Sequence, residues 1–140
     1  MEIKEQPKLL FKGVDFISVN YNSFGKRDGD LDVNFSASPK VFHPEGEPNI
    51  FKIILDVNAS VEGFFNIELR AIGHFEITSE INQVIKSTMI NANAPAIVFP
   101  YVRAFLSSFT ANLGNGIGAI TIPTQFFKGK LDVTSVISEE

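Results

Sequence analysis

The chain has 140 residues, a formal net charge of −4, fourteen Phe, no Trp and no Cys. At this length one domain spanning residues 1–140 is expected, with a core that folds without staples, and the missing Cys excludes a disulfide frame, a thiolate zinc site and a cysteine nucleophile. The mild acidity argues against nucleic acid, which needs clustered Lys and Arg to neutralise phosphates.

Met1 to Lys8 reads as a charged lead-in, with charges and a proline where a signal peptide would need a clean apolar run. No window reaches the apolar length of a membrane span, so membrane insertion is not expected and a cytoplasmic location is. From Lys12 a strand pattern begins. Val14 and Phe16 share one phase, while Ile17, Val19 and Tyr21 share the other. That slip predicts a bulge, because one extra residue swaps the side-chain faces. Asn22 to Asp30 is rich in turn formers and too long for a tight hairpin, which predicts a crossing loop. Its large apolar residue, Phe24, either packs down or waits for a ligand.

Leu31, Val33, Phe35 and Ala37 alternate with polar neighbours as a half-buried strand, which Pro39 stops or marks as an edge. After a proline-bounded turn at His43, Phe51 to Val61 alternates again, with Ile54 as the exception. Glu62-Gly63 turns the chain into Phe65 to Ile77, which alternates throughout and adds Ile72 on the polar phase. Tightly joined runs of this kind pair as a hairpin. Four such strands in succession predict an antiparallel meander with one apolar face.

Thr78-Ser79-Glu80 has N-cap chemistry and predicts a helical segment from about Glu80 to Asn91. After an interruption, Pro95 opens a second helix in which Val98, Val102, Phe105, Leu106, Phe109 and Leu113 fall on one stripe. Pro100 should bend it. Gly114, Gly116 and Gly118 end it. An extended piece follows at Ala119 to Pro123, and a last helix is expected from about Thr124 to Ile137. Helices that follow a complete sheet define an α+β fold: a four-stranded antiparallel sheet, then helices packed on one face.

No catalytic constellation emerges. His43 and His74 read as ordinary surface histidines, and no Ser sits in a nucleophile elbow. Asp28-x-Asp30-x-Asp32 lacks the Gly and Glu of a calcium loop. Gly114-x-Gly116-x-Gly118 follows a helix rather than a strand and has no phosphate-binding Lys. Glu68 and Glu76 read as a solvated face. No cofactor and no metal are expected. The Phe content fills a core and leaves room for an exposed aromatic surface that binds apolar segments by area.

Pro95, Ile97, Phe99, Pro100, Tyr101 and Arg103 resemble a stretch of the SecB family, of the type Pro-x-Ile-Leu-Phe-Pro-Tyr-Ala-Arg. There it is followed by a helix, a Gly and an extended segment. Gly73-His-Phe75-Glu-Ile77 is similar to the end of the family's fourth strand. The resemblance implies a homotetramer, built as a dimer of dimers with the long helices between dimers, that holds unfolded polypeptides in hydrophobic grooves without ATP. It associates Leu31, Val33 and Phe35 with client binding, and Phe24, Phe126 and Phe127 with the groove walls. It links Ile67, Leu69 and Ala71 to assembly, with Tyr101 and Phe105 on the helix interface. Glu68 keeps one acidic position of the face that docks the SecA motor, whereas Phe16 and Asn20 stand where acids are usual. SecB-like chaperones that control toxin–antitoxin pairs share the pattern, so SecA and an antitoxin are both candidate partners. Two other classes remain open: a hot-dog enzyme, in which the main helix would come early in the chain, and an oligomeric interaction module without chaperone activity.

Overall fold

The computed structural model describes residues 8–25, 32–78, 82–113, 120 and 131–134. Its strands are β1 (Leu9–Ser23), β2 (Asn34–Phe42), β3 (Ile50–Val61), β4 (Phe65–Ile77) and β5 (Asp132–Val133). The helices are α1 (Gln83–Thr88) and α2 (Ala94–Ala111), joined by one wide π-type turn at Met89–Asn93. The class is α+β, with the long strands preceding the helices as expected.

The strands lie in the order β1-β4-β3-β2-β5. This corrects the simple meander. β2, β3 and β4 are consecutive antiparallel neighbours, but β1 pairs with β4 rather than β2, which is Greek-key connectivity. The β1–β2 connection therefore passes two strands at one end of the sheet; of the crossing loop expected at Asn22 to Asp30, Asn22 and Ser23 belong to β1, and residues 26–30 lie outside the described residues.

The bulge in β1 is also present. Its register with β4 shifts between Phe16 and Ser18, and a second time between Phe11 and Val14. Gly13 takes φ 117° in the second irregularity, a conformation that suits a residue without Cβ. The two shifts return Phe11, Val14, Phe16, Val19 and Tyr21 to one sheet face, opposite Phe75, Gly73, Ala71, Leu69 and Ile67. Ile17, the extra residue, stays outside the ladder and is exposed.

The inner face of β3 and β4 is the core. Phe51, Ile53, Leu55, Ala59, Phe65, Ile67, Ala71 and Phe75 are all at most 1 % exposed. α2 covers them with Val98, Val102 and Leu106, each fully buried, as the helical stripe predicts. Burying one such aliphatic side chain contributes about 1.5–3 kcal/mol. Phe99 and Thr110, which lie off the predicted stripe, are buried too. Pro100 sits inside the helix at an exposed position.

Two helix boundaries differ from expectation. The N-cap is Asn82, whose side chain accepts the Ile85 N–H at 2.9 Å. Thr78 instead accepts the Lys8 N–H through Oγ1 at 3.2 Å and so closes the β1–β4 end of the sheet. The interruption near Asn91 is the π-type turn, so the helical path continues into α2. The final helix expected from Thr124 to Ile137 is also corrected: Asp132–Val133 is a strand, parallel to β2. Gly129 weakens a helix, and the outer edge of β2 offers unsatisfied main-chain groups that a helix could not use.

Thr110 ties the end of α2 to the chain beyond it. Its hydroxyl donates to the Leu106 carbonyl at 2.7 Å and accepts the Ile120 N–H at 2.9 Å. Thr110→Val keeps the shape but strands that N–H, a loss of about 1–2 kcal/mol. Hydrogen exchange should quicken at Ile120, and unchanged exchange there would show that the hydroxyl anchors nothing.

Candidate functional site

Sheet register decides which predicted site residues meet. Asn22, Asn66, Ser60 and Asn34 line up across the four long strands. That row puts Phe24, just after β1, and Val33, just before β2, at the same end of the sheet, three strand spacings or roughly 14 Å apart. Phe24 is the most exposed Phe of the described chain at 60 %, which decides between packing down and standing free. Its backbone is held nonetheless, since its N–H donates to the Phe64 carbonyl at 2.7 Å. Val33 is also exposed. Phe35 turns inward and is half-buried, meeting Phe99 of α2 edge-on at a centroid distance of 5.8 Å. Leu31, Phe126 and Phe127 lie outside the described residues.

The residues that the resemblance links to assembly divide into two groups. Ile67, Leu69 and Ala71 are buried in the chain's own inner face, at 0 %, 4 % and 0 % exposure. Tyr101 is exposed and Phe105 half-buried, and both join an aromatic row along the β1 edge. In that row Phe11 meets Tyr101 at 5.2 Å, Phe16 stacks on Phe105 at 4.4 Å, and Phe109 contacts Phe105 at 5.7 Å and Tyr21 at 5.8 Å. Among the described residues β1 pairs on one side only, so this row borders an edge of fifteen residues. Helical spacing singled out Phe105 and Phe109. Their β1 partners carry no local signal, because the contact spans more than eighty positions in sequence.

The outer sheet face is polar and largely self-paired. Arg70 grips Asp56 with two hydrogen bonds, Nε at 2.6 Å and Nη2 at 3.0 Å. Such a forked pair is stronger than a single contact. His74 Nε2 lies 2.7 Å from Asp15 Oδ2, and Lys12 pairs with Glu76 at 2.6 Å. Asn58 donates to Asn66 at 3.0 Å. Glu68 is exposed between Asn20 and Asn58 in register. Ile54 and Ile72, the two apolar exceptions in the alternation, are register partners and are buried on this face. They form a small apolar centre inside the polar network.

A second concave region lies between α1, the π-type turn and the β2–β5 edge. This cavity of about 680 Å³ is lined by Val41, Val84, Ile90, Leu131 and Val133, with His43 and Lys86 among them. Burial, and then the Lys86 charge, lower the His43 pKa below its ordinary value. No helix among the described residues is long and apolar enough to cross a membrane.

Comparisons with known proteins bear on the family and the fold. An uncharacterized protein of Methanocaldococcus jannaschii is 26 % identical over 136 residues, covering 94 % of this chain and 84 % of that protein. The protein-export protein SecB of Orientia tsutsugamushi is 31 % identical over 93 residues, covering 64 % of this chain. The match spans 53 % of that export protein, about half its length. Among solved structures, a SecB-like chaperone of Mycobacterium tuberculosis, captured with a peptide from the HigA1 antitoxin, superposes with a TM-score of 0.67 at 10 % identity. That superposition covers 84 % of this chain and 87 % of the other, and it speaks to the fold. The family described as preprotein translocase subunit SecB matches residues 21–115, from the end of β1 through the whole of α2. That match takes in β2, β3, β4 and the covering helix, well over half of the chain, and the chain belongs to the SecB family.

Proposed function

We propose that this chain is an ATP-independent holdase that binds exposed apolar segments of unfolded polypeptides. The observation that carries the reading is the apolar surface at one end of the sheet, where Phe24 and Val33 stand exposed and the Phe24 backbone is bonded to Phe64. A surface of this kind binds by area, with little demand on client sequence. Leu31, Phe126 and Phe127 complete the proposed groove, and Phe35 contributes its half-buried ring. No step in such binding calls for a catalytic group, a cofactor or a nucleotide.

In this reading the working form is a cytoplasmic homotetramer, a dimer of dimers. Its contacts come from the β1 edge, unpaired on its outer side among the described residues, and from the aromatic row, with the exposed Tyr101 and the half-buried Phe105. Ile67, Leu69 and Ala71 act in assembly by holding β4 against α2, which in turn seats that row. Repeated grooves on one particle raise the avidity for a long unfolded client.

The test is suppression of aggregation of a chemically denatured client, without nucleotide. The wild-type chain should suppress it and co-elute with the client on gel filtration. Phe24→Ser should weaken client binding roughly five- to thirty-fold, the loss of one exposed aromatic anchor worth about 1–2 kcal/mol. No suppression and no complex would refute the holdase reading and favour an interaction module.

A second reading keeps the chaperone activity but narrows the client to an antitoxin. It is supported by the likeness to the M. tuberculosis chaperone solved with an antitoxin peptide. The SecA motor is the corresponding partner in the export reading, with Glu68 as its contact. The mixed, self-paired charges of the outer face favour the antitoxin over the motor. Binding of one defined antitoxin segment far more tightly than generic unfolded clients would select the second reading.

A further inference from the structure

The outer edge of β2 is occupied by the chain itself. Val41 accepts the Thr134 N–H through its carbonyl at 2.9 Å, and Lys40 and Val41 stand in register with Asp132 and Val133. In an antiparallel strand, a residue's N–H and C=O leave on the same edge. Val41 therefore marks the parity of the outward groups, and Phe35, Ala37 and Pro39 share it. Pro39 has no N–H to offer at this edge, which is why a proline is tolerated inside β2. Among the described residues, only β5 pairs here.

The grip of this strap is slight. β5 is two residues long against nine in β2. Leu131 is its one buried side chain, seated among Val41, Ile90 and Asn91 at the cavity beside α1. Its N–H donates to Asn91 Oδ1 at 2.7 Å, from the π-type turn. Such turns are frequent at functional sites. Val133 is 66 % exposed, and Val84 and Ile85 leave further apolar surface open nearby. Lys86 brings a positive charge to the cavity, and Lys40 stands in register with Asp132 of the strap.

We propose that Leu131–Thr134 is a built-in placeholder, occupying the seat on the β2 edge into which an extended client segment is added as a strand. The strap itself describes what the seat takes: a large apolar residue where Leu131 sits, followed by an acidic residue beside Lys40. Main-chain pairing would accept many sequences, and the apolar seat would select among them. A competitor that belongs to the same chain binds intramolecularly, at a high effective concentration. Only clients that also engage apolar surface elsewhere would displace it, so weak segments would be refused. This regulation rests on the chaperone reading for the arrival of a client at the seat.

The test exploits the absence of native cysteine. Lys40→Cys/Asp132→Cys joins two register partners, so the strap can be locked by oxidation and freed by reduction in the same full-length protein. Leu131→Asp unseats it by a second route. Two probes are used: a labelled peptide copying residues 129–135, and a permanently unfolded apolar client. The peptide should bind Leu131→Asp at least ten-fold more tightly than wild type. The oxidised variant should bind both probes at least ten-fold more weakly than its reduced form. Equal binding of the client in the locked and reduced states would overturn the placeholder and leave the chaperone reading intact. Peptide binding that responds to the lock, with no client bound in any state, would keep the placeholder and remove the chaperone reading. Failure of the peptide to bind Leu131→Asp and the reduced variant alike would overturn the placeholder.

Discussion

Gly73→Ala should destabilise the protein by about 1–3 kcal/mol, and Gly73→Val by about 3 kcal/mol or more, because the site has no room for a side chain. A Cβ built at Gly73 overlaps Val98 Cγ2 of α2 and comes within 3.0 Å of Phe75 Cε2. Neither neighbour can yield at small cost. Val98 is fully buried and β-branched, so in a helix it is held to one rotamer. Phe75 is 1 % exposed and packed between other rings. The glycine is thus where α2 approaches the sheet, and any larger residue pushes the helix off it. Domains of this size have total stabilities of about 5–15 kcal/mol, so the loss is a large fraction. The denaturant midpoint should fall with an unchanged slope. Val98→Ala removes the clashing methyl, so Gly73→Ala/Val98→Ala should cost less than the sum of the single changes. A Gly73→Ala protein within about 0.5 kcal/mol of wild type would contradict the close packing.

Phe75→Ala should cost about 3–5 kcal/mol, the range for emptying a large aromatic site in a core. Phe75 stacks on Phe51 with centroids 5.3 Å apart and rings 9° from parallel, and it meets Phe11 at 5.5 Å. Each such pair adds about 0.5–1.5 kcal/mol to the area burial. The effect should reach beyond stability. Phe11 carries the contact to Tyr101, so a void at Phe75 loosens the outermost ring of the aromatic row. The chain has two Tyr and no Trp, which lets intrinsic fluorescence report on Tyr101 once Tyr21→Phe removes the other signal. Phe75→Leu refills part of the volume and should recover more than half of the loss. A Phe75→Ala cost under about 1.5 kcal/mol would mean that the neighbouring rings close the cavity.

Much of this architecture was legible in the residues because it is local. Alternation at period two assigned the buried faces of β3 and β4. The three-and-four spacing from Val98 to Leu106 assigned the buried stripe of α2. The slip at Phe16-Ile17 gave the bulge, since a change of phase within one strand has no other simple cause. Phe24 was named without its exposure, because an aromatic in a loop carries no signal for whether something covers it.

What was missed is non-local. The β1–β4 pairing replaces the meander because any two amphipathic strands can pair, and the choice is made by which arrangement closes the core. Thr110 was passed over because a hydroxyl on a helix reads as polar surface, and only the nearby Ile120 N–H makes its burial favourable. β5 was read as a helix because its short sequence has no strong period. Its conformation is chosen by the vacant carbonyls of β2 and by the seat that receives Leu131. Asn82 caps the helix in place of the Thr78 to Glu80 group because Thr78 is already bound to Lys8 across the sheet.

The sequence alone therefore determined the faces: which side chains of each strand and helix turn inward, and where phase changes. These depend on the repeat of a single element, and that repeat is written residue by residue. Tertiary structure alone decided the neighbours: β1 beside β4, α2 pressed to the backbone of Gly73, the aromatic row between β1 and α2, and the strap across the β2 edge. Neighbours are selected by burial and steric fit among segments far apart in the chain, and no short window of residues encodes that competition.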